Sequence, residues 1–296
     1  KVVMRVLEEN SRRFSLEDLG VVNNNLEIMK RNISKPHGMV LVTGPTGSGK
    51  TTTLYTVLSI LNTTDVNINT IEDPIEYSMP RINQTQVNPK IGFTFGIGLR
   101  ALLRQDPDII MVGEIRDSET VQMAVNAAMT GHLVLSTLHT NSAAAAIPRL
   151  LDMGVEPFLV ASTVNVLMAQ RLTRKLCKDC KTEYYIPEKL LTSLKEDLKK
   201  QGLTEKQIKE AVGVGKFYKP VGCSKCRDKG YKGRIGVYEV LEMSPRLMEL
   251  AVSNVSTFEL QKTAIEEGMT TLLYDGVLKA RQGLTTLEEV LAATRE

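Results

Sequence analysis

The chain opens on an alternation of apolar and polar positions, KVVMRVLE, with the two-residue period of a β-strand. A polar link, SRRFSLEDLG, and a helical stretch, NNNLEIMKRNI, follow. After SKPHG the apolar burst MVLVT reads as a buried strand. The loop GPTGSGK then leads into TTTLYTVLSILN, which reads as a helix. Three further strands are predicted in VNINTIE, IIMVGE and HLVLSTLH. Between the last two, SETVQMAVNAAMTG puts Val121, Ala124, Val125 and Ala128 on one helical face. Strands alternating with helices predict an α/β fold with a mostly parallel sheet covered by helices.

The pattern changes near residue 173. Two cysteine pairs flank the insert PEKLLTSLKEDLKKQGLTEKQIKEAVG, which reads as two amphipathic helices. The second is opened by a capping box from Thr204 to Gln207. Beyond residue 244 further helix starts are signalled at Ser256 to Glu259 and at Thr286 to Glu289.

Composition narrows the class. A length of 296 residues suits one large core or a few modest domains, and 42% apolar with 24% charged residues is ordinary for a globular protein. The net charge of +3 is too small to imply nucleic-acid or membrane binding. Tryptophan is absent, so no aromatic stacking platform is evident. No apolar run approaches the roughly 18 residues of a membrane span. The most apolar region, FLVASTVNVLMAQRL, is broken by Ser162, Thr163 and Asn165. The chain starts at Lys1 in the middle of a strand-like pattern, without methionine, and is expected to be a fragment.

The chemistry starts at GPTGSGKT. Gly44, Pro45, Thr46, Gly47, Ser48, Gly49, Lys50 and Thr51 fit the phosphate-loop pattern in full, between a strand and a helix as the motif requires, with Thr52 next on the helix. Glycines let backbone N–H groups curl around phosphate oxygens, and the helix N-terminus adds partial positive charge. Lys50 is expected to reach the β- and γ-phosphates and Thr51 to hold magnesium, so the chain is expected to bind ATP or another nucleoside triphosphate. No N-K-x-D guanine-reading tetrapeptide is present, which counts against a GTPase.

Acids and histidines collect at the predicted strand ends. TIEDPIEY brings Glu72, Asp73 and Glu76 together, with Pro74 turning them into a loop; read alone, it could be a solvated acidic turn. RQDPDIIMVGEIRD adds Glu114, and GHLVLSTLHTN puts His132 and His139 at the two ends of one strand. In an α/β sheet, strand ends beside a phosphate loop hold the ligand chemistry.

Taken together, the phosphate loop, TIEDPIEY, LLRQDPDIIMVGEIRD, TGHLVLSTLHTN and QRLTRKLC resemble the secretion ATPase superfamily, and most closely the assembly ATPases of type II secretion and type IV pilus machines. The resemblance covers nearly the whole chain. It implies a RecA-like core in which the magnesium-site strand ends in Gly-Glu where other phosphate-loop proteins have an aspartate. Glu114 is then expected to organise magnesium and Glu72 to polarise the attacking water. His139 would contact the γ-phosphate end, and His132 would serve coupling between subunits.

Arg100 and Arg104, in LRALLRQDPD, are four apart on a predicted helix and hence on one face. Arg5 lies on the first strand. The resemblance implies that arginines at such places approach a nucleotide across domain or subunit contacts; each could otherwise form a surface salt bridge.

All four cysteines fall in two C-x-x-C knuckles, Cys177 with Cys180 and Cys223 with Cys226, a pattern that points to tetrahedral Zn2+ without an open position for chemistry. The knuckle lysines, Lys178, Lys181 and Lys225, and Arg227 leave nucleic-acid binding open. The resemblance implies instead a module that contacts an inner-membrane platform protein, and an assembly ATPase rather than a retraction ATPase.

The expected organisation is therefore the end of a truncated N-terminal domain and a linker at 1–30, a RecA-like core at 31–172, a zinc module at 173–243 and a helical part at 244–296. The expected function is ATP and Mg2+ dependent mechanical work in a homohexameric ring, with the ring at the cytoplasmic face of the inner membrane, held there through partners. A DNA translocase with a zinc-bound DNA contact is the alternative enzyme, and a nucleotide-gated scaffold the non-enzyme alternative. Near-neutral charge and few aromatics count against DNA binding.

Overall fold

The computed structural model describes residues 14–253 and 255–294. A short helix α1 (Leu16–Leu19), closed by a Ser15–Asp18 capping box, precedes α2 (Asn23–Ile33). Strand β1 (Gly38–Thr43) is buried throughout and runs into the phosphate loop and α3 (Lys50–Leu61). Then come β2 (Ile68–Glu72), β3 (Asn83–Gln86), α4 (Phe95–Leu102), β4 (Ile109–Val112), α5 (Ser118–Met129) and β5 (Leu133–Leu138). Helices α6 (Ala146–Asp152) and α7 (Pro157–Thr163) lead to the long β6 (Val164–Leu176).

The seven-stranded sheet has the order β3-β2-β4-β5-β1-β6, completed by β9 (Tyr231–Glu242) at the edge. All neighbours are parallel except β6 and β9. The four strands expected from the core pattern are present, and β3, β6 and β9 extend them. Alternation within β1 divides the core. Val40 and Val42 pack with Leu54 and Leu58 of α3 and Met29 of α2 on one face. Met39 and Leu41 pack with Val121, Val125 and Ile147 from α5 and α6 on the other. Helices on both faces make the sheet a buried layer.

Residues 177–230 form a small module between β6 and β9. Its strands β7 (Thr182–Tyr185) and β8 (Lys216–Lys219) pair antiparallel, and α8 (Glu188–Lys200) and α9 (Glu205–Val212) lie between them. The Thr204–Gln207 capping box opens α9 as expected. β6 crosses the expected 172/173 boundary and β9 lies inside the expected 173–243 module, yet both belong to the core sheet and reach to the module's base, where Leu176 pairs with Tyr231 and Cys177 N donates to Gly230 O at 2.9 Å. This ladder brings the two ends of the insert together.

Helices α10 (Pro245–Val252), α11 (Thr257–Glu266), α12 (Leu272–Arg281) and α13 (Leu287–Thr294) complete the described chain. α12 is fastened to β9 by a buried cluster. Tyr238 N donates to Asp275 Oδ2 at 2.8 Å, and Lys279 Nζ donates to Gly236 O at 2.8 Å and to Asp275. Burial lowers the Lys279 ammonium from its usual range, opposed by the charge of Asp275. Among the described residues, no helix is long and apolar enough to cross a membrane.

Candidate nucleotide site and four-cysteine cluster

Because β1, β2, β4 and β5 are parallel, their C-terminal ends share one edge of the sheet, and that edge carries the site. Leaving β1, the chain turns through Gly44 with φ of 147°. A Cβ there would come within 2.6 Å of both Gln170 O and Ser48 Oγ, so only glycine fits. α3 begins behind Gly49 with no side-chain cap and no acid in its first turn, which leaves its N–H groups for an anion. Thr46, Gly47, Thr51 and Thr52 are exposed on this rim, and Ser48 Oγ is buried without a hydrogen-bond partner. Lys50 Nζ donates to Gly44 O at 2.8 Å and Pro45 O at 3.1 Å. Burial lowers its ammonium from the usual range, offset in part by Glu114 and reinforced by Arg171. These features fit a triphosphate: an uncapped helix end, an orphaned hydroxyl and a cation held only by carbonyls.

Glu114 stands beyond the end of β4 with its side chain 13% exposed. Arg116 Nε lies 2.7 Å away and His139 Nε2, just past β5, at 3.5 Å. Two hydroxyls of β5 hold the end of β4 in place, Ser136 on Val112 O at 2.7 Å and Thr137 on Gly113 O at 2.8 Å. A Cβ on Gly113 would lie 3.4 Å from Glu72 Cα and from Ile71 O, an ordinary contact distance, so space alone does not demand glycine there. Glu114 and His139 thus meet, as the strand-end pattern led one to expect. His132 lies at the opposite edge, its Nδ1 at 2.9 Å from Ala127 O at the end of α5.

Glu72 is 2% exposed and fully engaged. Thr70 Oγ1 donates to Oε1 at 2.6 Å, Gln84 Nε2 to Oε1 at 3.1 Å, and Tyr55 of α3 donates its hydroxyl to Oε2. Burial and the Glu72 charge push the Tyr55 hydroxyl well above the usual phenol range, so it remains a donor. Glu76 is half-buried in the following loop, its N–H donating to Tyr55 Oη at 3.3 Å. The acidic box is therefore tied to the phosphate-loop helix through Tyr55, a residue not singled out in the sequence.

The arginine expectation needs correction. Arg100 is on α4, paired with Glu119 of α5 at 2.9 Å. Arg104 lies beyond the helix, because α4 is capped at Leu103 and Asp106 adopts φ of 51° ahead of Pro107. The two therefore do not share a helical face, although both are exposed. Arg5 lies outside the described residues.

β6 contributes two residues that sequence reasoning passed over. Gln170 donates to Ser48 O and accepts from Thr53 Oγ1 at 2.7 Å, bracing the phosphate loop. Arg171, 5% exposed, donates to Asn141 O at 3.2 Å and Oδ1 at 3.4 Å. Both lie in QRLTRKLC, but the apolar run before them hides the strand period that would separate their faces.

At the module's base the four cysteines are free thiols whose sulfurs lie within 4.8 Å of one another. Cys177–Cys223 is 3.9 Å, and Cys180–Cys226 and Cys223–Cys226 are each 3.7 Å. Tetrahedral Zn–S bonds of about 2.3 Å put sulfurs about 3.8 Å apart, so the set fits zinc. N–H groups of Cys223 and Gly230 also point at Cys226 Sγ, each at 3.2 Å, as donors supporting a thiolate.

The model of the family described as type II/IV secretion system protein matches residues 1–292. The type IV pilus assembly ATPase PilB of Pseudomonas aeruginosa is 49% identical over the whole chain, which covers 50% of that protein. The type II secretion system ATPase E of Vibrio cholerae is also 49% identical, with 56% of it covered. The chain thus spans about half the length of these curated relatives. Among solved structures, the pilus retraction motor PilT with bound ADP superposes with a TM-score of 0.67 at 30% identity, over 95% of this chain and 67% of that one. Relatives named for pilus assembly and secretion do not favour the DNA-translocase alternative. With the phosphate loop, the Glu114–His139 pair and the cysteine cluster all inside the matched span, the chain belongs to the type II/IV secretion system protein family.

Proposed function

We propose that the chain is the ATP-hydrolysing part of a machine that assembles a type IV pilus or a type II secretion pseudopilus. The observation that carries this is the uncapped, acid-free N-terminus of α3 on the same sheet edge as Glu114 and His139. In this reading the Gly44–Gly49 backbone and the start of α3 take the phosphates. Lys50 exchanges its two carbonyl partners for β- and γ-phosphate oxygens. Thr51 and Glu114 are the residues that would hold magnesium, which would supply positive charge against the phosphates. His139, 3.5 Å from Glu114, is assigned to the γ-phosphate end.

Glu72 is assigned to orient the attacking water, and one of its three hydrogen bonds must open for this. Turnover by Glu72→Gln is expected to fall about 10²-fold or more, with ATP binding kept. The engaged state of Glu72 favours a second reading, in which Glu76 orients the water and Glu72 anchors Tyr55. Measuring turnover and ATP affinity of Glu72→Gln and Glu76→Gln separates the two. If only Glu76→Gln loses turnover, the first assignment is wrong; if Glu72→Gln cannot bind ATP, it is a structural residue.

The rest of the reading concerns assembly. In this reading the sheet from β1 through β6, with β9 and the helices that cover it, is the motor core, residues 177–230 are the zinc module, and α10–α13 are a helical part that follows. The chains work as a homohexameric ring at the cytoplasmic face of the inner membrane, with the module toward a platform protein and pilin extrusion as the product of the work.

Metal analysis is expected to find about one zinc per chain. Removing it with a chelator, or Cys226→Ser, should loosen the module while leaving ATP binding intact. Zinc-free protein of unchanged module stability, or a disulfide between the knuckles, would exclude this assignment.

A further inference from the structure

β6 presents successive residues to opposite faces of the sheet. Gln170 points to the phosphate-loop side, where it bonds Ser48 and Thr53. Arg171 points the other way, toward the loop that follows His139, and bonds Asn141. In the antiparallel β6–β9 ladder Arg171 stands opposite Val237 and Ala169 opposite Glu239. Arg171 and Glu239 are therefore diagonal neighbours on one face, within reach of long side chains.

Glu239 is 2% exposed, and its Oε1 accepts from Ala143 N at 2.8 Å. The backbone of Leu272, at the start of α12, lies beside the same carboxylate. Two buried groups of opposite charge thus hold the loop after His139 at Asn141 and Ala143, with Leu272 of α12 beside the carboxylate. Burial raises the Glu239 carboxyl, opposed by the Ala143 and Leu272 backbone and by the Arg171 charge. The same guanidinium acts on Lys50 across the sheet, lowering its ammonium.

We propose that Arg171 and Glu239 are positioning residues: a buried strut that sets His139 against the phosphate loop and joins this loop to the C-terminal helices. The strut rests on the hydrolysis reading above. It acts through geometry, because both side chains are buried, 5% and 2% exposed, and hold Asn141 and Ala143 by hydrogen bonds. A displacement of order 1 Å at a site of this kind can cost about 10²-fold in rate.

The test is ATP turnover of the assembled protein, read together with the NMR signal of labelled histidine. The chain has 3 histidines, so His139 can be followed against His37 and His132. Glu239→Gln keeps an acceptor for the Ala143 N–H but removes the charge, and Arg171→Lys keeps the charge but loses the fork that spans Gln170 O and Asn141. Each is expected to lower kcat about 10- to 100-fold, with KM for ATP held within about threefold. The His139 signal should shift in both variants while those of His37 and His132 stay in place. If either single variant fails to fold, the double variant Arg171→Met with Glu239→Gln removes both charges at once, and the same kcat loss and His139 shift are expected. Unchanged kcat, or a kcat loss with the His139 signal unmoved, would overturn the strut. Wild-type protein without turnover would overturn the hydrolysis reading itself, which is a separate result.

Discussion

Lys50→Ala is expected to reduce ATP turnover by about 10²–10³-fold or more while leaving the fold intact. Lys50 is the one side-chain cation set inside the phosphate loop, and its present partners are the carbonyls of Gly44 and Pro45. Carbonyl oxygens satisfy its donors but do not balance its charge, and burial already lowers the ammonium. Phosphate oxygens supply the missing negative charge, so exchange from carbonyls to phosphate is downhill. In the transition state that charge grows, and a fixed cation becomes worth more there than in the ground state. Nothing in the core depends on the lysine, so thermal stability without nucleotide should hold. Turnover of Lys50→Ala within threefold of wild type would mean that phosphate is handled elsewhere.

Arg104→Ala is expected to lower turnover by about 10³-fold or more if the arginine reaches a neighbour's phosphate, with ATP binding retained. Arg104 is exposed on the turn beyond α4, and Arg100 is held only by an exposed pair with Glu119. Exposed pairs of this kind are weak and give up a partner readily. Arg100→Ala should act in the same direction, and lysine should rescue neither well, because it lacks the bidentate fork. Mixing Arg104→Ala with Lys50→Ala chains gives the discriminating result. Each lacks what the other supplies, so rings containing both should regain part of the activity. A mixture as inactive as its components would place the arginine's action within its own chain or remove it from the site.

Much of the core could be read before the structure, and the reasons are local. The phosphate loop and the Thr204–Gln207 cap depend on contacts a few residues apart, so their patterns survive in the linear chain. The meeting of Glu114 with His139 follows from parallel strands ending at one edge. Arg104 was misjudged because the end of α4 is set by the backbone at Asp106 and Pro107, which apolar periodicity does not report. Tyr55, Gln170 and Arg171 stayed hidden for another reason. Their partners, Glu72, Ser48 and Asn141, lie 17, 122 and 30 positions away, and only the β-ladder brings the last two together. The burial of Glu72 likewise depends on Gln84 of a neighbouring strand, which carries no motif.

The central claim is that this phosphate loop hydrolyses ATP within an assembly of chains. It is tested most directly by phosphate release from ATP and magnesium by wild-type protein, measured per chain over a dilution series. Release is expected to be lost in Lys50→Ala and to fall per chain on dilution, as neighbouring subunits separate. Release that is absent at every concentration, or equal in wild type and Lys50→Ala, would contradict it.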